Sequence, residues 1–388
     1  MLASQWSAFI LRQAGPNKIQ VMSYKKSYTI LCVMLLVLPA FAFGQLKITG
    51  NVKNLNADSI LLIYASVKSK QEKVKIPVHN GQFEWLSSWT ETTAVNVIMP
   101  VGKSKMSFML FAEPGEQKLS GDAATPATFK EMSVTGSNTQ NEYVQYCTQM
   151  ASIYAKYSHA KELLKSAPAS EVPELKNQAE SYYRQYFVTE NDNYVEQHPG
   201  SYLSLELLLK IANTGAYDKA KRLFESLQPA MRTTVKGRMI QAQLSAIQNG
   251  SIGREMQDFA FNDPTGKTIR LADYRGKFVL VDFWASWCAP CRAETPNLLR
   301  AYQTFKDKNF TILSVSCDEK EDKWVKALKQ DQLPWVQVRG SGSKSFELMT
   351  YFGIKNIPSS FLVDPSGKIL AKDLRGDALT VKLKQVLE

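Results

Sequence analysis

Histidine and cysteine are scarce: three and five in 388 residues. His79, His159 and His198 lie far from one another and from the single closely spaced cysteine pair. A structural zinc site needs a second pair of Cys or His ligands, so this composition argues against a metal centre. Long basic runs and aromatic-basic stripes are missing too, although the formal net charge is +11. That excludes the ordinary nucleic-acid-binding pattern. Residues 1–44 hold four of the cations and no acid, which leaves 43 basic residues against 36 acidic ones, scattered along the rest. This reads as a solvated, mildly basic surface suited to acidic partners or an anionic membrane face. The apolar run Tyr28–Leu38 is too short to span a bilayer comfortably. No clean internal repeat is present, so a solenoid is not indicated. Nothing in the chain points to a bound cofactor.

What is present is concentrated in residues 281–296. Phe278–Trp284 is a near-continuous apolar run of the kind that forms a buried parallel strand. Cys288-Ala-Pro-Cys291 follows, and then Leu298, Leu299, Tyr302 and Phe305 recur at helical spacing. A helix N-terminus offers unpaired N–H groups and the positive end of the macrodipole, and both stabilise a thiolate. In such a dithiol the first cysteine is the exposed, attacking one. The second, one turn in, resolves the mixed disulfide. An inert structural disulfide is the alternative; the helix-opening position, Trp287 and the downstream Pro358 weigh against it.

Residues 251–388 resemble the TlpA/ResA-type thiol–disulfide oxidoreductases of the bacterial envelope, a thioredoxin-superfamily group related to the AhpC/TSA proteins. Asp282 lies six residues before Cys288, Glu294 three after Cys291 and Pro296 five after it. Ile357-Pro358 precedes an apolar run, and the stretch from Ile252-Gly253 through Asp258-Phe259 to Leu271–Lys277 looks like the family's entry hairpin. The resemblance implies that Cys288 is the nucleophile and that Pro358 is cis opposite the cysteines. It further implies that Trp287, Ile357 and Pro358 form a docking lip for protein or peptide disulfides. Asp282 would be a buried carboxylate of raised pKa that shuttles a proton to or from Cys291. Glu294 would be a second active-site acid, although an acid in the first turns of a helix also simply complements its dipole. Phe310–Ser316 supplies no Lys or Arg to pair with Asp282, and Cys317 at its end reads as structural. A reductase of this type implies a membrane-bound thiol-reducing electron donor.

In chain order, four parts are expected. Residues 1–44 are an N-terminal extension and a signal peptide, with the true start at Met22, Lys25 and Lys26 before the apolar run, and cleavage after Ala42 or Gly44. This directs the rest to the periplasm or cell envelope; if uncleaved, the leader is the only membrane attachment. Residues 45–136 alternate apolar and polar residues, with Asn80-Gly81 as a hairpin turn, and predict an antiparallel sandwich or curled sheet. This part resembles the β-rich domain of unknown function that precedes envelope thioredoxin-like domains. Residues 137–250 have helical period, with Tyr143, Tyr146, Met150, Ile153, Tyr154 and Tyr157 on one packed face and Cys147 as a small buried hydrophobe. Residues 251–388 predict an α/β thioredoxin fold. Two other functions share some of these features. A peroxiredoxin-like thiol peroxidase would place Thr or Ser where Ala285 stands, and an envelope binding protein would use residues 46–250 to hold a partner.

Overall fold

The structure, a computed structural model, describes residues 45–65, 71–214 and 216–388. The leader expected at residues 1–44 lies outside them. Eight strands come first: β1 Leu46–Lys53, β2 Ser59–Ala65, β3 Gln71–Pro77, β4 Gln82–Ser87, β5 Thr93–Val101, β6 Ser104–Ala112, β7 Gly115–Asp122 and, after the short helix α1 Pro126–Phe129, β8 Ser133–Thr135. They form two four-stranded sheets, ordered β4-β1-β7-β8 and β3-β2-β5-β6. Alternate residues of each sheet, such as Leu46 and Ile48 against Val95, Val97 and Met99, point inward and share one apolar core. The pairing is antiparallel throughout except for β1 with β7, which is parallel.

Asn80 and Gly81 do form a turn, with φ of 51° and 75°. The flanking strands do not pair as the hairpin expected from sequence. A single bridge, His79 with Gln82, closes the turn; then β3 joins one sheet and β4 the other. The turn is local chemistry, whereas each strand's partner is set by which inner face it completes.

The helices follow: α2 Asn138–Leu163, α3 Val172–Arg184, α4 Glu190–Gln197, α5 Tyr202–Asn213, α6 Tyr217–Ser226, α7 Pro229–Arg232 and α8 Val235–Asn249, with one π turn at Gln185–Thr189 between α3 and α4. The sandwich caps two of them. Glu113 accepts from the backbone N–H groups of Asn138 and Thr139, both at 2.8 Å, and Glu91 accepts from that of Val235 at 2.7 Å. A carboxylate at a helix N-terminus satisfies orphan donors and complements the dipole. Phe111 of β6 also sits in the helical core, edge-on to Tyr202 and against Tyr143. The tyrosine face of α2 is therefore core only in part. Tyr143 and Tyr146 pack inward, whereas Tyr154 is exposed with Tyr183 and Phe187 at the outer end of the α2–α3 pair. Cys147, expected to be buried, is exposed: it falls between the packed tyrosines and the solvent side of α2.

The last part holds β9 Ala260–Asn262, β10 Thr268–Arg270, β11 Phe278–Trp284, α9 Ala289–Phe305, β12 Phe310–Ser316, α10 Glu321–Asp331, β13 Val336–Arg339, α11 Lys344–Tyr351, β14 Ser359–Val363, β15 Ile369–Lys372 and α12 Asp377–Leu387. Its sheet runs β10-β9-β13-β12-β11-β14-β15. β11, β12 and β13 are parallel; β14 and β15 return antiparallel. Apolar cores cover both faces. Val281 and Phe283 point to one; Leu280 points to the other with Leu298, Phe305, Leu379 and Leu383 of α9 and α12. The architecture is that expected from sequence: an antiparallel β part, a helical middle and a C-terminal thioredoxin-like α/β domain. α8 reaches this domain through Asn249, whose amide donates to the carbonyl of Tyr351 at 3.1 Å.

Candidate active site

β11 ends at Trp284, whose carbonyl accepts from the N–H of Cys317 at the end of β12, 2.8 Å away. The loop that follows is held by a buried carboxylate. Asp318 accepts from the N–H and the hydroxyl of Ser286, at 2.9 and 2.6 Å, and from the hydroxyl of Ser316 at 2.8 Å. Trp287, 66% exposed, stands at the loop's outer edge. Cys288 then caps α9, with extended backbone, and Pro290 occupies the first turn, where a missing N–H does no harm. The N–H of Cys291 donates to Sγ of Cys288 at 3.2 Å. The two sulfurs form a disulfide of 2.04 Å. Cys288 is 4% and Cys291 5% exposed, so the first sulfur is not the exposed one that spacing alone suggests. What separates the two is the helix: only Cys288 stands at the cap, receiving a backbone N–H.

Pro296 lies inside α9 and leaves the Arg292 carbonyl without its i+4 donor. The Ile357–Pro358 bond is cis, and Arg375 donates to the carbonyl of Pro358.

Asp282 is buried on β11, in register with Ser314 of β12. The Ser314 hydroxyl donates to Asp282 Oδ2 at 3.2 Å and accepts from Nε1 of Trp335 at 2.9 Å. Burial pushes Asp282 up to about 7; the Ser314 hydrogen bond opposes that, the Glu294 charge adds to it and Arg375 opposes it. Glu294, on α9, is tied down at both oxygens: Oε1 accepts from the N–H of Gly376 at 2.7 Å and Oε2 from the amide of Asn297 at 3.0 Å. It therefore links α9 to the start of α12 while standing close enough to Asp282 to influence it. Cys317 is buried beside Met349, Sγ to Sδ 3.1 Å, and burial pushes its thiol up to about 12, so it stays a neutral thiol.

A buried strand thus leads into a dithiol at a helix cap, in a domain that also holds a cis-proline and a buried acid. Residues 252–372 match the AhpC/TSA family, and residues 46–143 match DUF4369, a domain of unknown function. The thiol-disulfide oxidoreductase ResA of Bacillus cereus is 30% identical over 150 residues, which span 39% of this chain and 84% of that protein. ResA of Bacillus thuringiensis is 31% identical over 137 residues, 35% of this chain and 77% of that one. The chain belongs to the ResA-type thiol–disulfide oxidoreductases. A crystal structure of the thioredoxin domain of a Bacteroides vulgatus thiol-disulfide oxidoreductase is 40% identical, covering 36% of this chain and 99% of that one, with a TM-score of 0.35.

Sequence reasoning missed four residues of this oxidoreductase's site. Ser314 and Trp335 stand where a cationic partner for Asp282 was sought; only the β11–β12 register brings a hydroxyl there. Asp318 carries no motif, and its one sequence signal is an acid directly after a buried strand. Arg375 is 17 residues past the proline whose carbonyl it holds.

Proposed function

We propose that the oxidoreductase reduces exposed disulfides of protein substrates outside the cytoplasm, with Cys288 attacking and Cys291 resolving. The observation that carries this assignment is the N–H of Cys291 donated to Sγ of Cys288 at the helix cap. In the reduced enzyme that donor, with the helix dipole, favours a thiolate on Cys288. The thiolate attacks one sulfur of the substrate disulfide, forming a mixed disulfide and releasing the other sulfur as a thiolate. Cys291 then passes its proton to the Asp282 carboxylate and attacks Cys288 Sγ. The Cys288–Cys291 disulfide closes and the second substrate sulfur leaves. The substrate gains two electrons and, with the proton on Asp282 and one from water, becomes a dithiol. Trp287, Ile357 and Pro358 form the lip against which the substrate chain docks.

The reductase direction is supported by the floor of the site. Both cysteines are buried, which penalises a thiolate; the helix cap relieves that penalty at Cys288 only, and the penalty left on Cys291 favours the disulfide and makes the dithiol an electron donor. A membrane-bound thiol donor would restore it. The location is supported by the leader pattern at residues 22–45; among the described residues no helix is long and apolar enough to cross a membrane.

Cys288→Ser should abolish insulin reduction, and Cys291→Ser should accumulate mixed disulfides with substrate. Trapping by Cys288→Ser instead would reverse the two roles. The couple should equilibrate nearer the thioredoxin potential of about −270 mV than the about −120 mV of a strong oxidant, and a value at the oxidising end would overturn the direction.

A further inference from the structure

Beside the cis-proline lies a cavity of about 490 Å³ that the exchange chemistry does not use. Pro290, Ile357 and Pro358 form its edge toward the disulfide; Lys355, Lys372 and Arg375 are its cations. None of the three takes part in an ion pair among the described residues. The one carboxylate of the lining, Asp373, is held through Oδ1, which accepts from the Ser359 hydroxyl at 2.7 Å and from the Ser360 N–H at 3.2 Å. The cations are positioned by neutral partners instead. Lys355 donates to Oδ1 of Asn213, at the end of α5, at 2.5 Å. Lys372 Nζ stands 5.2 Å from the ring centroid of Phe361, and Arg375 is anchored on the Pro358 carbonyl. Three positive charges, each with a neutral partner, thus face the cavity against a single carboxylate, and the balance is positive.

We propose that this cavity receives the carboxylate side chain of an acidic residue flanking the disulfide of the protein substrate. The inference rests on the reading of the enzyme as acting on protein disulfides and adds the sequence class it prefers. A polypeptide segment fits better than a small free anion because the cavity is continuous with the edge of the disulfide through Pro290 and Pro358. A chain docked there carries its neighbouring side chains into it. The anchor of Lys355 on Asn213 also gives the helical part a share in substrate choice.

The test uses the full chain and synthetic peptides, each with one internal disulfide, identical except that the cysteines are flanked by Asp and Glu, by Asn and Gln, or by Lys. At low ionic strength kcat/KM should be about fivefold higher for the acidic peptide than for the neutral one. The preference should shrink to within about twofold in ~0.5 M salt, where charges are screened beyond a few ångströms. Lys355→Glu with Lys372→Glu should invert the preference toward the Lys-flanked peptide. Lys73→Glu with Lys75→Glu, on the remote β3, changes the net charge equally and should leave the preference intact. A preference lost equally in both double variants would mean steering by net charge and overturn the site. So would equal turnover of all peptides by the unaltered chain, or equal inhibition of all by inorganic phosphate without preference. The salt dependence of the unaltered chain decides the matter if the charge-reversed variant fails to fold. A chain that reduces none of the peptides overturns the underlying reading, and the site with it.

Discussion

Asp282 makes stability depend on pH with a calculable size and sign. The carboxyl titrates at about 7 in the folded protein against an ordinary value of 3.8. A raised acid means that the native state holds its proton at pH values where the unfolded chain has lost it. Stability from this group is therefore fully present below about pH 4 and falls as pH rises to about 7. Three pH units at 1.36 kcal/mol each give about 4 kcal/mol. Asp282→Asn removes the titration but keeps an acceptor for the Ser314 hydroxyl. The variant minus wild-type stability should then climb by about 4 kcal/mol between pH 4 and pH 8 and be flat outside that window. Unfolding of the oxidised chain in urea, followed by hydrogen exchange in peptides covering β11 and β12, reports this domain separately from residues 46–250. Ser314→Ala is the companion variant: it removes the bond that holds the pKa down, so the slope should extend to higher pH. A difference curve constant to within about 1 kcal/mol over that range would show that Asp282 titrates as an ordinary carboxyl, and the proton-carrier role would lose its physical basis.

Glu294→Gln should move the Asp282 titration down in pH, because it removes a negative charge that pushes it up; alkylation of the reduced protein against pH would register the change. Asp318→Ala strands the Ser286 N–H and two hydroxyls, and should cost about 1–3 kcal/mol and speed exchange of the Ser286 amide, while leaving the disulfide able to form. A fragment of residues 251–388 should fold and reduce insulin, and one of residues 46–250 should not; loss of structure in the first would mean that α8 is part of the catalytic domain's core.

The C-terminal fold was legible because its strands are continuous apolar runs and its helices keep a clean period. β13 was not. Val336–Arg339 is four residues of alternating character between Pro334-Trp335 and Gly340, too short to stand out, and it becomes a strand because β12 offers it an edge. Asn80-Gly81 announced a turn correctly, but a dipeptide carries no information about which sheet each flanking strand joins. Cys147 was misread because one helical face can be packed at one end and solvated at the other. In the site, residues tied to the cysteines by spacing were visible from sequence. Ser314, Trp335 and Asp318 were not, since a polar side chain acquires a partner only through strand register and loop geometry.

Asp282 and Glu294 differ in what satisfies their charge. Glu294 receives a backbone N–H and a side-chain amide, one at each oxygen, so its charge is met by donors and it acts outward as a fixed negative neighbour. Asp282 receives one hydroxyl whose own oxygen is occupied by Trp335, and otherwise meets burial. Its charge is thus the least satisfied in the site, and its proton the most readily exchanged near neutral pH. A general base works best when its pKa is close to the working pH and not far below that of the donor, and an ordinary cysteine thiol titrates near 8.5. For the proposed transfer from Cys291, a carboxylate at about 7 is a suitable base; at 3.8 it would be weaker by three orders of magnitude in affinity. Glu294 keeps it from falling and Ser314 and Arg375 keep it from rising further. The readiness of Asp282 to exchange a proton therefore depends on a hydroxyl and two charges as well as on its burial.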